Sequence, residues 1–108
     1  MAYSMTFFLK MSGTVPPSKR KEFEQTVRFV SNHLNTPCLQ FNLSSDIFIA
    51  DLYHFYSLWP SAESLGSFCK SQEFQVLEGA YNTLGSLEKN TTGEQVDIKS
   101  FQTTDIGV

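Results

Sequence analysis

His54 is the side chain in this sequence best suited to moving a proton. An imidazole titrates near neutrality and can act as a general base or acid. It stands in the stretch ADLYHFYSLWPSAESLGSFCKSQEFQVLEGAYNTL, residues 50–84, two positions before Tyr56 and five before Trp59. Tyr56 adds a phenolic hydroxyl, so His54 and Tyr56 are the candidate catalytic residues. Asp51 lies three positions before His54, but no carboxylate sits at a spacing that plainly orients the imidazole. The competing assignment is a buried, hydrogen-bonded structural histidine, the common fate of buried polar groups. His33, the other histidine, falls near the end of a helical segment, where a histidine favours the carbonyl ends.

Cys38 and Cys69 lack the close spacing of a metal-ligand pair, and a buried free cysteine usually behaves as a small hydrophobe. No metal is expected. The chain carries no Gly-x-Gly-x-x-Gly, no phosphate loop and no Ser-His-Asp order with recognisable context, and no cofactor is expected. What stands out instead is aromatic area: 14% of residues are aromatic, ten of them Phe. Trp59, Tyr53, Phe55, Phe8, Phe41, Phe68 and Tyr81 are candidate walls for an apolar, substrate-binding pocket between sheet and helices. Such a pocket suits a flat aromatic ligand. Filling a small core is the alternative use of the same side chains.

These residues must be positioned by one small domain of 108 residues, with a core over about 5–102 and a loose tail over 103–108. The apolar content, 41%, is ordinary for a globular chain. A net charge of −3 and a pI near 5.2 oppose nucleic-acid binding, which needs a basic face. Lys19, Arg20 and Lys21 are the one basic run and read as a solvated first helical turn. No stretch approaches the roughly 20 apolar residues of a membrane span, and the N-terminal run is too short for a signal peptide. A cytoplasmic protein with free thiols follows as the expectation. The sequons at Asn42 and Asn90 then read as chance matches.

Met5–Ser12 reads as a strand. Ser18 caps a helix with an apolar stripe at Phe23, Val27, Val30 and Leu34, which Pro37 brings to an end. Residues 38–43 form a second strand, Ser44-Ser45-Asp46 a hairpin turn, and Ile47–Trp59 a long third strand with an irregularity near Ala50-Asp51. Along that strand Tyr53, Phe55, Ser57 and Trp59 share one face, and Leu52, His54, Tyr56 and Leu58 the other. Both faces carry large side chains, so both are expected to be covered. Ser61 and Ser71 cap two successive helical segments, and Gly85 stops the second. Leu87–Glu94 reads as a polar loop and 95–102 as the last strand. The order predicts an α+β, ferredoxin-like βαββαβ domain with a four-stranded antiparallel sheet and helices on one face. A second copy is the simplest cover for the other face, giving a homodimer through the sheet.

Trp59-Pro60-Ser61-Ala62-Glu63-Ser64-Leu65, followed by Ser71-Gln72-Glu73-Phe74, resembles the pattern of the antibiotic biosynthesis monooxygenase superfamily. Val15–Phe23, VPPSKRKEF, is similar to that family's approach to its first helix, and the likeness runs from about Thr6 to Phe101. The resemblance implies a dimeric α/β barrel of ferredoxin-like subunits. The family includes cofactor-free oxygenases, in which the deprotonated phenolic substrate itself supplies electrons to oxygen. It also includes haem-degrading enzymes, and the departures here weigh against that branch. Glu78 falls on its iron-ligating histidine, a poor exchange for the usual proximal imidazole, and its first-strand asparagine falls near Lys10 or Met11. Phe68 and Ser57 stand where many members carry a histidine and a glutamate. Two readings follow. In one, a cofactor-independent monooxygenase-like protein acts on a small aromatic or quinol-type compound, with Trp59 and Tyr53 lining the pocket and His54 or Tyr56 aiding proton transfer. In the other, the chain is a non-catalytic dimeric ligand-binding or interaction module.

Overall fold

In the computed structural model, residues 5–96 are described. Strand β1 (Met5–Thr14) is followed by helix α1 (Arg20–Asn32), strands β2 (Gln40–Ser45) and β3 (Leu52–Trp59), helices α2 (Ala62–Cys69) and α3 (Gln72–Leu84), and strand β4 (Ser86–Val96). The strands lie in the order β2-β3-β1-β4, all antiparallel. This is the ferredoxin-like arrangement, with the helices on one face of the sheet. No helix among the described residues is long and apolar enough to cross a membrane.

The core follows the two periods read from the sequence. α1 buries Phe23, Val27 and Val30, while α3 buries Leu77, Ala80 and Tyr81. They meet Leu9 and Met11 from β1 and Tyr53, Phe55 and Trp59 from β3. Aromatic rings knit these layers together. Phe23 packs edge-on to Tyr81 at 4.8 Å, and Phe41 edge-on to Phe55 at 4.7 Å, separations at which aromatic pairs contribute beyond simple area burial. Ser61 and Ser71 cap α2 and α3 as expected, accepting hydrogen bonds from the backbone N–H of Ser64 (3.0 Å) and Phe74 (3.1 Å).

Several boundaries differ from the sequence expectation, for local reasons. Ser18 does not cap α1. Pro16 is extended, and a 3₁₀ turn over Pro17–Lys19 leads into the helix without any side-chain cap, in keeping with the fixed φ of proline. The β2–β3 hairpin turns later than Ser44. The Asp46 carboxylate accepts the N–H groups of Phe48 (2.9 Å) and Ile49 (2.7 Å). An aspartate that captures these donors competes with a strand ladder, so Ile47–Ile49 form a loop and not the start of β3. That loop leaves Ile47 and Phe48 86% and 89% exposed and ends at Asp51, whose φ of 64° is left-handed. The segment read as a polar loop, Leu87–Glu94, is most of β4, paired with β1 along its length. An edge strand with polar side chains carries no alternating signal and resists further pairing. The part of the expected last strand beyond Val96, and the tail, lie outside the described residues.

Gly85 ends α3, but not through a left-handed turn, since its φ is −158°. Its requirement is closeness: a Cβ there would lie 1.9 Å from the Thr14 carbonyl oxygen. Gly79, in mid-α3, has open space within 4 Å. Gly85→Ala is therefore expected to destabilise by about 3 kcal/mol, because a backbone carbonyl cannot step aside. Gly79→Ala should stabilise by roughly 0.5–1 kcal/mol through helix propensity. Urea denaturation of the two variants checks both signs, and Gly85→Ala at parental stability would refute the close-approach account.

Candidate functional site

Alternation along β3 divides the candidate residues between the two faces of the sheet. Tyr53, Phe55, Ser57 and Trp59 point to the helices, and all are buried. His54 and Tyr56 point to the opposite, open face, and Phe8 stacks on Tyr56 there at 6.5 Å. The candidate catalytic pair and most of the candidate pocket walls therefore lie on opposite sides of one sheet. Within a single chain they do not form one site.

Trp59, Phe55, Phe68 and Tyr81 are core rather than pocket lining, each at most 1% exposed. The two positions that depart from the family pattern help to enclose Trp59. Its indole N–H donates to the Ser57 hydroxyl at 2.9 Å, and Ser57 donates on to the Leu9 carbonyl at 3.4 Å. Phe68 stacks on the indole at 4.7 Å. The Tyr81 hydroxyl donates to the Tyr53 carbonyl at 3.2 Å, and burial drives its pKa far above the usual phenol value.

Phe41 and Tyr53 do line a cavity. A cleft of about 470 Å³ opens between α1 and the β2–β3 edge, within the usual range for small-ligand sites. Phe41, Leu43, Val27 and Tyr53 supply its apolar and aromatic surface, and Arg20, Glu24, Arg28, Ser31, Ser44 and Ser45 its polar surface. Arg20, Glu24, Arg28 and Ser31 follow one another along α1 at helical spacing, beside the buried stripe. Arg20 Nε donates to Glu24 at 3.0 Å, and its guanidinium lies 6.0 Å from the Tyr53 ring centroid. Arg28 has no acidic partner within ion-pair distance among the described residues. Desolvation raises the Tyr53 pKa, so its phenol stays a hydrogen-bond donor. The cleft thus joins an aromatic floor to a carboxylate and an uncompensated guanidinium. The apolar stripe of α1 was legible as helical spacing, whereas Arg20 read only as part of a solvated first turn.

On the open face His54 has two partners that the sequence concealed. Its Nδ1 is 2.9 Å from Ser12 Oγ and its Nε2 is 2.9 Å from Asp46 Oδ1. Ser12 is its direct cross-strand neighbour on β1. Asp46, not Asp51, supplies the orienting carboxylate. An ionised carboxylate only accepts, so Nε2 carries the proton, and in the neutral ring Nδ1 accepts from Ser12. A hydroxyl bonded to an oriented imidazole is the arrangement of an activated nucleophile. Here, however, Ser12 stands in mid-strand on a paired ladder, where its neighbours' backbone N–H groups are committed to the sheet, and an oxyanion needs aimed donors. The Tyr56 hydroxyl donates to Gln95 Oε1 at 2.6 Å.

The remaining candidates have structural surroundings. His33 Nδ1 lies 2.7 Å from the Phe29 carbonyl and its ring stacks on Phe29. Cys38 and Cys69 are half-buried free thiols, and burial raises both pKa values, which disfavours the thiolate. Among the described residues no cluster of three or more His, Cys, Asp or Glu could hold a metal ion.

No protein-family model matches the chain, and no curated protein does. Solved structures do. A candidate antibiotic biosynthesis monooxygenase from Caulobacter crescentus superimposes with a TM-score of 0.69 at 19% identity, over 86% of this chain and 89% of that one. A conserved protein from Methanosarcina mazei gives 0.69 at 13% identity, over 85% and 92%. A protein of unknown function from Bacteroides thetaiotaomicron, described as a possible oxidoreductase, gives 0.66 at 16% identity, over 86% and 98%. The chain has the ferredoxin-like fold that these proteins share, as the Trp59 pattern implied.

The hydrogen bond from His54, followed by those from the Ile49 and Phe48 N–H groups, holds the Asp46 pKa below the ordinary aspartate value of 3.8. A carboxyl whose folded pKa is depressed adds stability above its unfolded pKa and loses it as the pH falls through the folded value. Asp46→Asn should therefore be less stable than the parent at pH 7. The gap should begin to narrow near pH 3.8, the unfolded value, and close once the pH has fallen below the lower folded value. Urea midpoints measured across that range check it, and a gap independent of pH would show that the Asp46 charge is immaterial.

Proposed function

We propose that the chain is a cofactor-independent, monooxygenase-like protein that takes a small aromatic, quinol-type compound in the cleft between α1 and β2–β3. The observation that carries this reading is the cleft itself. Its 470 Å³ set the rings of Phe41 and Tyr53 beside the Glu24 carboxylate and the Arg28 guanidinium. The fold shared with structures described as candidate monooxygenases supports it. Glu24 is the proton acceptor of this reading and Tyr53 a donor to a ligand oxygen. Phe41 and Tyr53 keep their substrate-binding role. His54 and Tyr56 are left to the open face.

The chemistry balances without a cofactor. A phenol gives its hydroxyl proton to Glu24, and the phenolate supplies electrons to oxygen. One oxygen atom enters the ring, the other leaves as water, and a phenol plus O₂ becomes a quinone plus H₂O. The nearby guanidinium favours the phenolate, against the opposing pull of the apolar floor. One observation favours the alternative of a non-catalytic binding module. Ser57 and Phe68, standing where many members keep glutamate and histidine, are taken up by the core around Trp59.

Oxygen uptake with a panel of dihydroxyaromatics separates the two. Glu24→Gln should lower the rate about a hundredfold, the usual scale of a lost general base. His54→Ala should leave it within a factor of about two, since that side chain opens onto the other face. Ligand binding without oxygen uptake would favour the binding module, and absence of binding would overturn the cleft as the site.

We also propose a homodimer through the open face. Phe8 and Tyr56 stack there beside Leu58, with the Lys10 ammonium 5.2 Å from the Phe8 ring centroid. A face-to-face pair of sheets would bury this patch. Light scattering should give twice the 12.2 kDa chain mass, and Tyr56→Glu should shift it toward the monomer. A monomeric parent at micromolar concentration would overturn the dimer.

A further inference from the structure

We infer that the ligand of the α1–β2–β3 cleft is an anion, a small aromatic bearing a carboxylate that is seated against Arg28. This rests on the cleft being the binding site and narrows what enters it.

The charge balance of the lining is the starting point. Three of its side chains are charged: Arg20, Glu24 and Arg28. Arg20 and Glu24 neutralise each other through a 3.0 Å contact. Arg20 is held further by its position over the Tyr53 ring. Among the described residues Arg28 is left as a single uncompensated positive charge on the cleft wall. An ammonium-bearing ligand would meet that charge unfavourably. A neutral ligand would leave it without a partner.

The kind of anion follows from the neighbours. A guanidinium is a planar fork of donors that matches a planar carboxylate. Ser31, one turn beyond Arg28 on α1, and Ser45, which pairs with Tyr53 on the helix-facing side of β2, are neutral hydroxyls that can donate to the same oxygens. One free cation fits a monoanion. A phosphate dianion would bring a second charge for which the described lining holds no second free cation. Phe41 and Tyr53 supply ring surface for the rest of the molecule, and the Tyr53 phenol, kept protonated by burial, can donate to a ring hydroxyl. The carboxylate at Arg28 would then fix which ring position faces Glu24. Arg28 is exposed, so solvent screens the contact and the discrimination is moderate.

The test compares two probes that differ only in the carboxylate, 3,4-dihydroxybenzoate and catechol, titrated at pH 7 and low salt by calorimetry or ¹H–¹⁵N NMR. The acid should bind about two- to fivefold more tightly, the scale of an exposed ion pair. Added salt should narrow the difference. Arg28→Gln should abolish the preference, bringing the affinity for the acid down to that for catechol in the same variant, and Arg28→Lys should retain part of it. Circular dichroism confirms that the exposed substitution leaves the fold intact. Equal affinities in the parent, or a preference that survives Arg28→Gln, would overturn the anion assignment while leaving the cleft as a binding site. Failure of both probes to bind would overturn the site and the assignment together.

Discussion

The two-residue period of β3 governs what this domain can do. Successive side chains of a strand point to opposite faces, and the antiparallel register fixes which neighbours each meets. Phe7 pairs with Trp59, Met11 with Phe55 and Ser12 with His54. The helix-facing positions of β3 thus enter an aromatic core, and the open-facing positions enter a polar and mixed surface. A one-residue slip would exchange the two sets and bring the Ser12–His54–Asp46 chain under the helices, where half-satisfied polar groups are costly. The separation of the core aromatics from the imidazole is therefore a condition of folding and not an incidental placement.

The surroundings of Trp59 show how the same frame can close one site and open another. Its indole N–H needs an acceptor once buried, and Ser57, two residues back on the same face, provides it. Phe68 covers the ring. Ser57 is shorter than the glutamate of the resembled pattern and Phe68 is apolar where that pattern has histidine, and both pack against the indole. Cavity volume is found further out, where α1 and the edge strand β2 part. On α1 the Phe23–Val27–Val30 stripe goes to the core while the adjacent Arg20–Glu24–Arg28 stripe flanks the cleft. One amphipathic helix therefore supplies both the packing and the polar wall.

Legibility tracked the range of the interaction. The α1 stripe, the Ser61 and Ser71 caps and the alternation of β3 rest on neighbours a few residues apart, and each was readable. Asp46 as the partner of His54 was not, because eight residues and a loop separate them. In that loop the Asp46 carboxylate captures the Phe48 and Ile49 amides. Ser12 was farther still, 42 residues away, and joins them only through strand pairing. β4 was hidden for a different reason. Its polar side chains suit an edge, and its strand character comes from pairing with β1 rather than from its own pattern.

By itself the sequence determined the order of elements, the ferredoxin-like topology and the division of β3 into two faces, because local periodicity and capping carry that information. The tertiary structure alone decided which aromatic residues are core and which line a cleft, and which acid meets which base. Phe68 and Phe41 are indistinguishable as residue types. One is enclosed against Trp59 and the other borders the cleft, since burial depends on where helices stop covering a sheet and not on the side chain itself.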